Sequence, residues 1–110
     1  MEKIVEQGIL YDFYGELLTE HQRRIYEDAV YNDMSLSEIA EQAGISRQGV
    51  HDLIRRCDRT LADYEEKLQL VRRFSVVKEK VRELESLAKK DAGSTSSRIV
   101  KLAEEILEEL

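Results

Sequence analysis

Between Ser46 and Arg59 the chain concentrates the side chains best suited to grip a nucleic acid. Ser46, Arg47, Gln48, His51 and Arg55 recur at steps of one, three and four, so a helix would display them on one side. An arginine fork matches the guanine edge and a glutamine amide matches the adenine edge, which are the roles expected of Arg47 and Gln48. Ser46, together with the unpaired N–H groups of a helix start, is suited to a phosphate. Arg55, Arg56 and Arg59 are suited to phosphates too, and such contacts position a protein on a duplex without reading it. His51 is read as a donor to a partner, because neither it nor His21 has companions at metal-ligand spacing. Asp52 opposes all of this unless it pairs with Arg55 or Arg56, three and four residues on. A solvated helix face is the competing reading of the same arginines.

The elements that must hold these groups are legible just upstream. Ser35 to Leu53 reads SLSEIAEQAGISRQGVHDL, with Ile39, Ala40, Ala43, Gly44, Ile45, Val50 and Leu53 at the spacing of a helix-turn-helix. Ala40 is small enough for two helices to cross closely. Gly44 suits the left-handed turn, Ile45 is expected to turn inward, and Ser46 to cap the second helix. Ser35 and Glu38 form a capping-box pattern, as do Thr19 and Gln22. Gly49 costs up to about 1 kcal/mol in a helix, so it either admits a partner closely or is tolerated in the first turn.

A first helix is expected from about Lys3 to Tyr14, with Ile4, Val5, Tyr11, Tyr14 and Leu18 on its inner side and Gly15 ending it. The next would bury Ile25, Tyr26, Ala29 and Val30, and Asn32-Asp33 marks a turn. After Ser46 a heptad seam runs through Val50, Ile54, Cys57, Leu61, Tyr64, Leu68 and Val71. Cys57 is read there as a small buried residue rather than a reactive thiol. The phase slips near Phe74-Ser75, where a bend is expected with Ser75 as cap, and a new stripe follows through Val77, Val81, Leu84 and Leu87 or Ala88. An unbroken helix to Lys90 would run roughly 65 Å, so it breaks or is shared with a second chain. Residues 91–97 read as a linker. Ile99, Leu102, Ala103, Ile106 and Leu110 line a last helix, with Glu104, Glu105, Glu108 and Glu109 as its solvated face. Residues 1–72 are thus read as a helix-turn-helix domain and 73–110 as a helical extension that serves dimerisation.

The 110 residues contain no Pro, few Gly and 36% charged side chains, which points to an all-α protein. A single Cys excludes an internal disulfide. The chain shows neither a signal pattern nor an apolar run able to span a bilayer, so a cytoplasmic location is expected. The net charge of −6 opposes nucleic-acid affinity. Four arginines against Asp52 and Asp58 in the second helix of the motif leave a small basic face on an acidic body. Neither a nucleophile–base grouping nor a phosphate loop nor a metal motif is found, so no enzyme and no cofactor are expected.

Leu18-Thr-Glu-His-Gln-Arg-Arg, Leu36-Ser-Glu-Ile-Ala-Glu and Gly44-Ile-Ser-Arg-Gln-Gly-Val resemble the C-terminal promoter-reading domain of bacterial sigma factors. Adding Leu10-Tyr-Asp-Phe-Tyr-Gly-Glu-Leu-Leu-Thr-Glu-His-Gln and the long charged helix, nearly the whole chain resembles the YlxM family of small bacterial helix-turn-helix proteins. That resemblance implies a sigma-like all-α fold, a homodimer, and a DNA-binding regulatory role linked to the signal recognition particle pathway. The alternative it leaves open is an accessory protein that ignores DNA and contacts the targeting GTPase or its RNA.

Overall fold

The computed structural model describes residues 2–90 and 94–109. Among them the fold is all-α: α1 (Lys3–Tyr14), a 3-10 turn (Gly15–Leu17), α2 (Glu20–Val30), α3 (Leu36–Ala43), α4 (Arg47–Leu68), α5 (Leu70–Lys90) and α6 (Ser94–Glu109). Two units result, one ending at Gln69 and the other beginning at Leu70.

In the first unit the starts of α2 and α3 follow from their caps. The Thr19 and Ser35 hydroxyls each accept from the N–H three residues on, and Gln22 and Glu38 return the bond to the cap residue's own N–H. Each such cap is worth about 1 kcal/mol. Gly15 does end α1, but its φ of −58° is ordinary. What requires glycine is space, because a Cβ would sit 2.8 Å from the Tyr11 ring. The Asn32-Asp33 turn forms with Asp33 at φ 51°. Ile25, Ile39, Ala40 and Val50 make the core where α2, α3 and α4 meet. Tyr14 and Leu18 are buried as expected, whereas Ile4 and Val5 stay half-exposed because α1 starts beyond the packed part of the unit.

Tyrosine hydroxyls fasten α1 to its neighbours. Tyr14 donates to Glu65 on α4 at 2.5 Å, Tyr11 donates to Glu27 on α2, and Tyr31 donates to Asp12 at 2.7 Å and to the Gly8 carbonyl at 3.0 Å. Tyr11 also stacks on Tyr26, ring centres 5.5 Å apart. Burial, then the adjoining carboxylate, raises each of Tyr11, Tyr26 and Tyr31 above the usual phenol value, Tyr31 to about 12.

The long helix ends earlier than its seam foretold. Val50, Cys57 and Leu61 are buried on it, but Leu68 is exposed, and the break falls at Gln69 rather than at Phe74-Ser75. Gln69 takes the left-handed conformation (φ 53°), and its N–H closes on the Glu65 carbonyl. A glutamine carries no turn signal, so the break had none to read. Ser75 lies inside α5 and caps nothing.

In the second unit α6 folds back along α5. The three residues 91–93 between them lie outside the described residues, as does Leu110. The expected linker is shorter than 91–97, since α6 already begins at Ser94. Val81, Ala88, Ser96 and Ala103 fill the seam, whereas Leu84, Leu87, Leu102 and Ile106 are exposed. Glu85 pairs with Lys89 at 2.8 Å, and Lys78 lies over the Phe74 ring.

Candidate nucleic-acid interface

The turn between α3 and α4 aims the candidate face. Gly44 ends α3 at φ 70°, and the N–H groups of Gly44 and Ile45 both donate to the Ala40 carbonyl, at 3.0 and 3.2 Å. This double closure satisfies a carbonyl that the helix end would otherwise orphan. Ile45 turns in only partly, with 36% of its surface exposed. Ser46 then caps α4 by accepting from the Gly49 N–H at 2.9 Å. The backbone N–H bond from Ser35 holds Glu38 below the usual carboxylate range, which anchors α3 at its other end.

Inner and outer residues of α4 separate cleanly. Val50 and Cys57 are fully buried, with Leu53 and Ile54 packed beside the core. Burial pushes the Cys57 thiol up to about 11, so it is a packing group and not a nucleophile near neutral pH. Ser46, Arg47, Gln48, His51, Arg55, Arg56 and Arg59 are all exposed. Arg55, Arg56 and Arg59 share one shallow depression with Asp52. Among the described residues no carboxylate lies within ion-pair distance of Arg47, Arg55, Arg56 or Arg59.

Asp52 does not take the arginine partners that its spacing offered. It accepts from Gln48 Nε2 at 3.0 Å, one turn back, and His51 Nδ1 stands 3.8 Å away. The acid therefore fixes the amide beside it and forms no ion pair with the arginines. Pairing of Gln with Asp at this spacing is a known helix contact, so the signal was present in the sequence. Asp58 leaves the basic face altogether. It turns inward and accepts from Gln7 Nε2 at 2.9 Å and from the Tyr26 hydroxyl at 2.5 Å, joining α1 and α2 to α4. At Gly49 a Cβ would meet the Ser46 hydroxyl at 3.1 Å, so a larger residue there would require the cap to shift by a few tenths of an ångström.

A trihelical core, a left-handed glycine turn and a capped second helix with one exposed side define a helix-turn-helix protein. Residues 1–102 match the family described as "Putative helix-turn-helix protein, YlxM / p13 like". A UPF0122 protein of Acetivibrio thermocellus is 44% identical over 114 aligned residues, covering all of this chain and 97% of its own length. A relative in Thermoanaerobacter sp. (strain X514) is 42% identical across 93% of this chain and 88% of its own. One in Clostridium kluyveri is 53% identical across 64% of each. The chain belongs to this UPF0122 family, as its resemblance to YlxM proteins implied.

Proposed function

We propose that this chain is a DNA-binding regulatory protein that acts as a cytoplasmic homodimer in the signal recognition particle pathway. The observation that carries DNA binding is the exposed side of α4, where four arginines have no carboxylate partner among the described residues. Arg47 reads a guanine edge. Gln48, steadied by Asp52, keeps its carbonyl and second N–H for an adenine. Ser46 and the α4 start hold one phosphate, and Arg55, Arg56 and Arg59 hold others. The pathway assignment rests on the YlxM resemblance alone. A second reading, an accessory protein for the targeting GTPase or its RNA, is favoured by the net charge of −6 and by the acid kept on the exposed face.

Fluorescence anisotropy against random duplex DNA, the particle RNA and the GTPase, over a salt series, separates the two. Three arginine–phosphate contacts per protomer give a log–log salt slope of roughly −2.7 for duplex DNA. Arg55→Ala is expected to flatten that slope by about one unit. A chain that ignores DNA at low salt yet binds the GTPase or the RNA overturns the DNA reading in favour of the second.

A further inference from the structure

Asp52 stands where a helix entering a groove can least hide it. At about 100° per residue, Gln48, Asp52, Arg55 and Arg59 fall within about 60° of one another. That side of α4 lies opposite Val50, Cys57 and Leu61, all fully buried. The Asp52 side chain is 51% exposed and lines one depression with Arg55, Arg56 and Arg59. Both of its close neighbours on the helix approach the same oxygen. Gln48 Nε2 donates to Oδ1 at 3.0 Å, and His51 Nδ1 stands 3.8 Å from Oδ1. Oδ2 takes no hydrogen bond among the described residues, so it is open to a donor from outside the chain.

The major groove offers such an oxygen few partners. Guanine shows two acceptors there, and thymine an acceptor and a methyl group, all of which oppose a carboxylate. Only the amino groups of cytosine and adenine donate. Adenine sets its N7 acceptor beside the amino group, which suits an amide such as Gln48 and not an acid. Cytosine presents its amino group alone. We propose that Asp52 is a specificity-determining residue, whose Oδ2 accepts from the N4 amino group of a cytosine on the base pair next to the adenine held by Gln48. The inference rests on the DNA reading above and adds the base that the acid selects. The bonded ends of Gln48 and Asp52 are 3.0 Å apart, close to the roughly 3.4 Å rise between stacked base pairs, so the two side chains suit neighbouring bases. The acid on a basic face thus weakens non-specific binding and creates a sequence preference.

Selection by the full chain from duplexes with a randomised centre tests this, followed by affinity measurements on the selected duplex and on random duplex. The wild-type chain is expected to select a cytosine beside an adenine. Asp52→Asn keeps an acceptor for Gln48 and is expected to move the preference from cytosine to adenine, because an amide matches the adenine edge. Asp52→Ala is expected to lose the cytosine preference. It is expected to bind the selected duplex about tenfold more weakly or worse, yet random duplex about threefold more tightly, since one negative charge is gone. An acid that only repels phosphates would instead tighten both when removed, and that result overturns the inference. A wild-type chain that binds duplex DNA without a cytosine preference, or a preference that survives in Asp52→Ala, also overturns it and leaves the DNA reading in place. A wild-type chain that binds no duplex at low salt ends the DNA reading and this inference together.

Discussion

Asp58 joins three helices through one oxygen, and its removal has a calculable effect. Its Oδ1 accepts from Gln7 Nε2 at 2.9 Å and from the Tyr26 hydroxyl at 2.5 Å. Tyr26 is 0% exposed, so water cannot replace the lost acceptor in Asp58→Ala. Gln7 is only partly buried and can turn to solvent. A hydrogen bond to a charged acceptor contributes about 1.5–3 kcal/mol, and a stranded buried hydroxyl costs about as much again as a neutral bond. One full loss and part of a second give about 3 kcal/mol for Asp58→Ala, against about 1 kcal/mol for Asp58→Asn, which keeps an acceptor. The assay is urea unfolding followed by tyrosine emission. All five tyrosines precede Gln69, so the signal reports on the first unit alone. With a slope of about 1 kcal/mol per molar for a unit of this size, the alanine midpoint falls by about 3 M and the asparagine midpoint by about 1 M. An alanine variant within about 0.5 kcal/mol of wild type would refute the idea that Asp58 binds α1 and α2 to α4.

Gly44→Ala tests the turn by itself. Nothing lies within 4 Å of the added methyl, so the cost is that of a left-handed alanine, about 1 kcal/mol or somewhat more, read as a melting point lower by about 4–8 °C. An unchanged melting point would mean that the turn relaxes to another conformation. Alkali tests the tyrosine contacts. Tyr11, Tyr26 and Tyr31 have raised values, so below about pH 10 their contribution to stability is present in full. As the pH climbs toward about 12, the unfolded chain sheds phenolic protons first and stability falls. Urea midpoints that stay level over that range would count against these contacts.

Local chemistry explains how much of the fold was open to reading. Thr19, Ser35, Ser46 and Gly44 each act on the next few residues of their own chain, so the sequence announces them directly. The same holds for Val50, Cys57 and Leu61, whose spacing reports one buried side of one helix. The break at Gln69 was hidden because a glutamine accepts the left-handed turn with nothing in its type to mark it. The partners of Asp58 were hidden for a different reason, since Gln7 and Tyr26 lie 51 and 32 residues away. On the candidate face the exposed residues followed from helical phase. Which of them Asp52 would hold did not, because Gln48, Arg55 and Arg56 all stand within one turn of it.

The two bonds from α1 to α4 join residues separated by the same interval, Gln7 to Asp58 and Tyr14 to Glu65, each 51 apart. The two helices therefore run side by side in step, and Lys3, where α1 starts, stands level with Ile54. The first two turns of α4 extend past it and pack on α2 and α3 through Val50. Seven residues of overhang span about 10 Å. Arg47, Gln48 and His51 all lie on that overhang, whose inner side is held by α2 and α3 through Val50, so on the DNA-binding reading proposed above α1 stays clear of the duplex backbone.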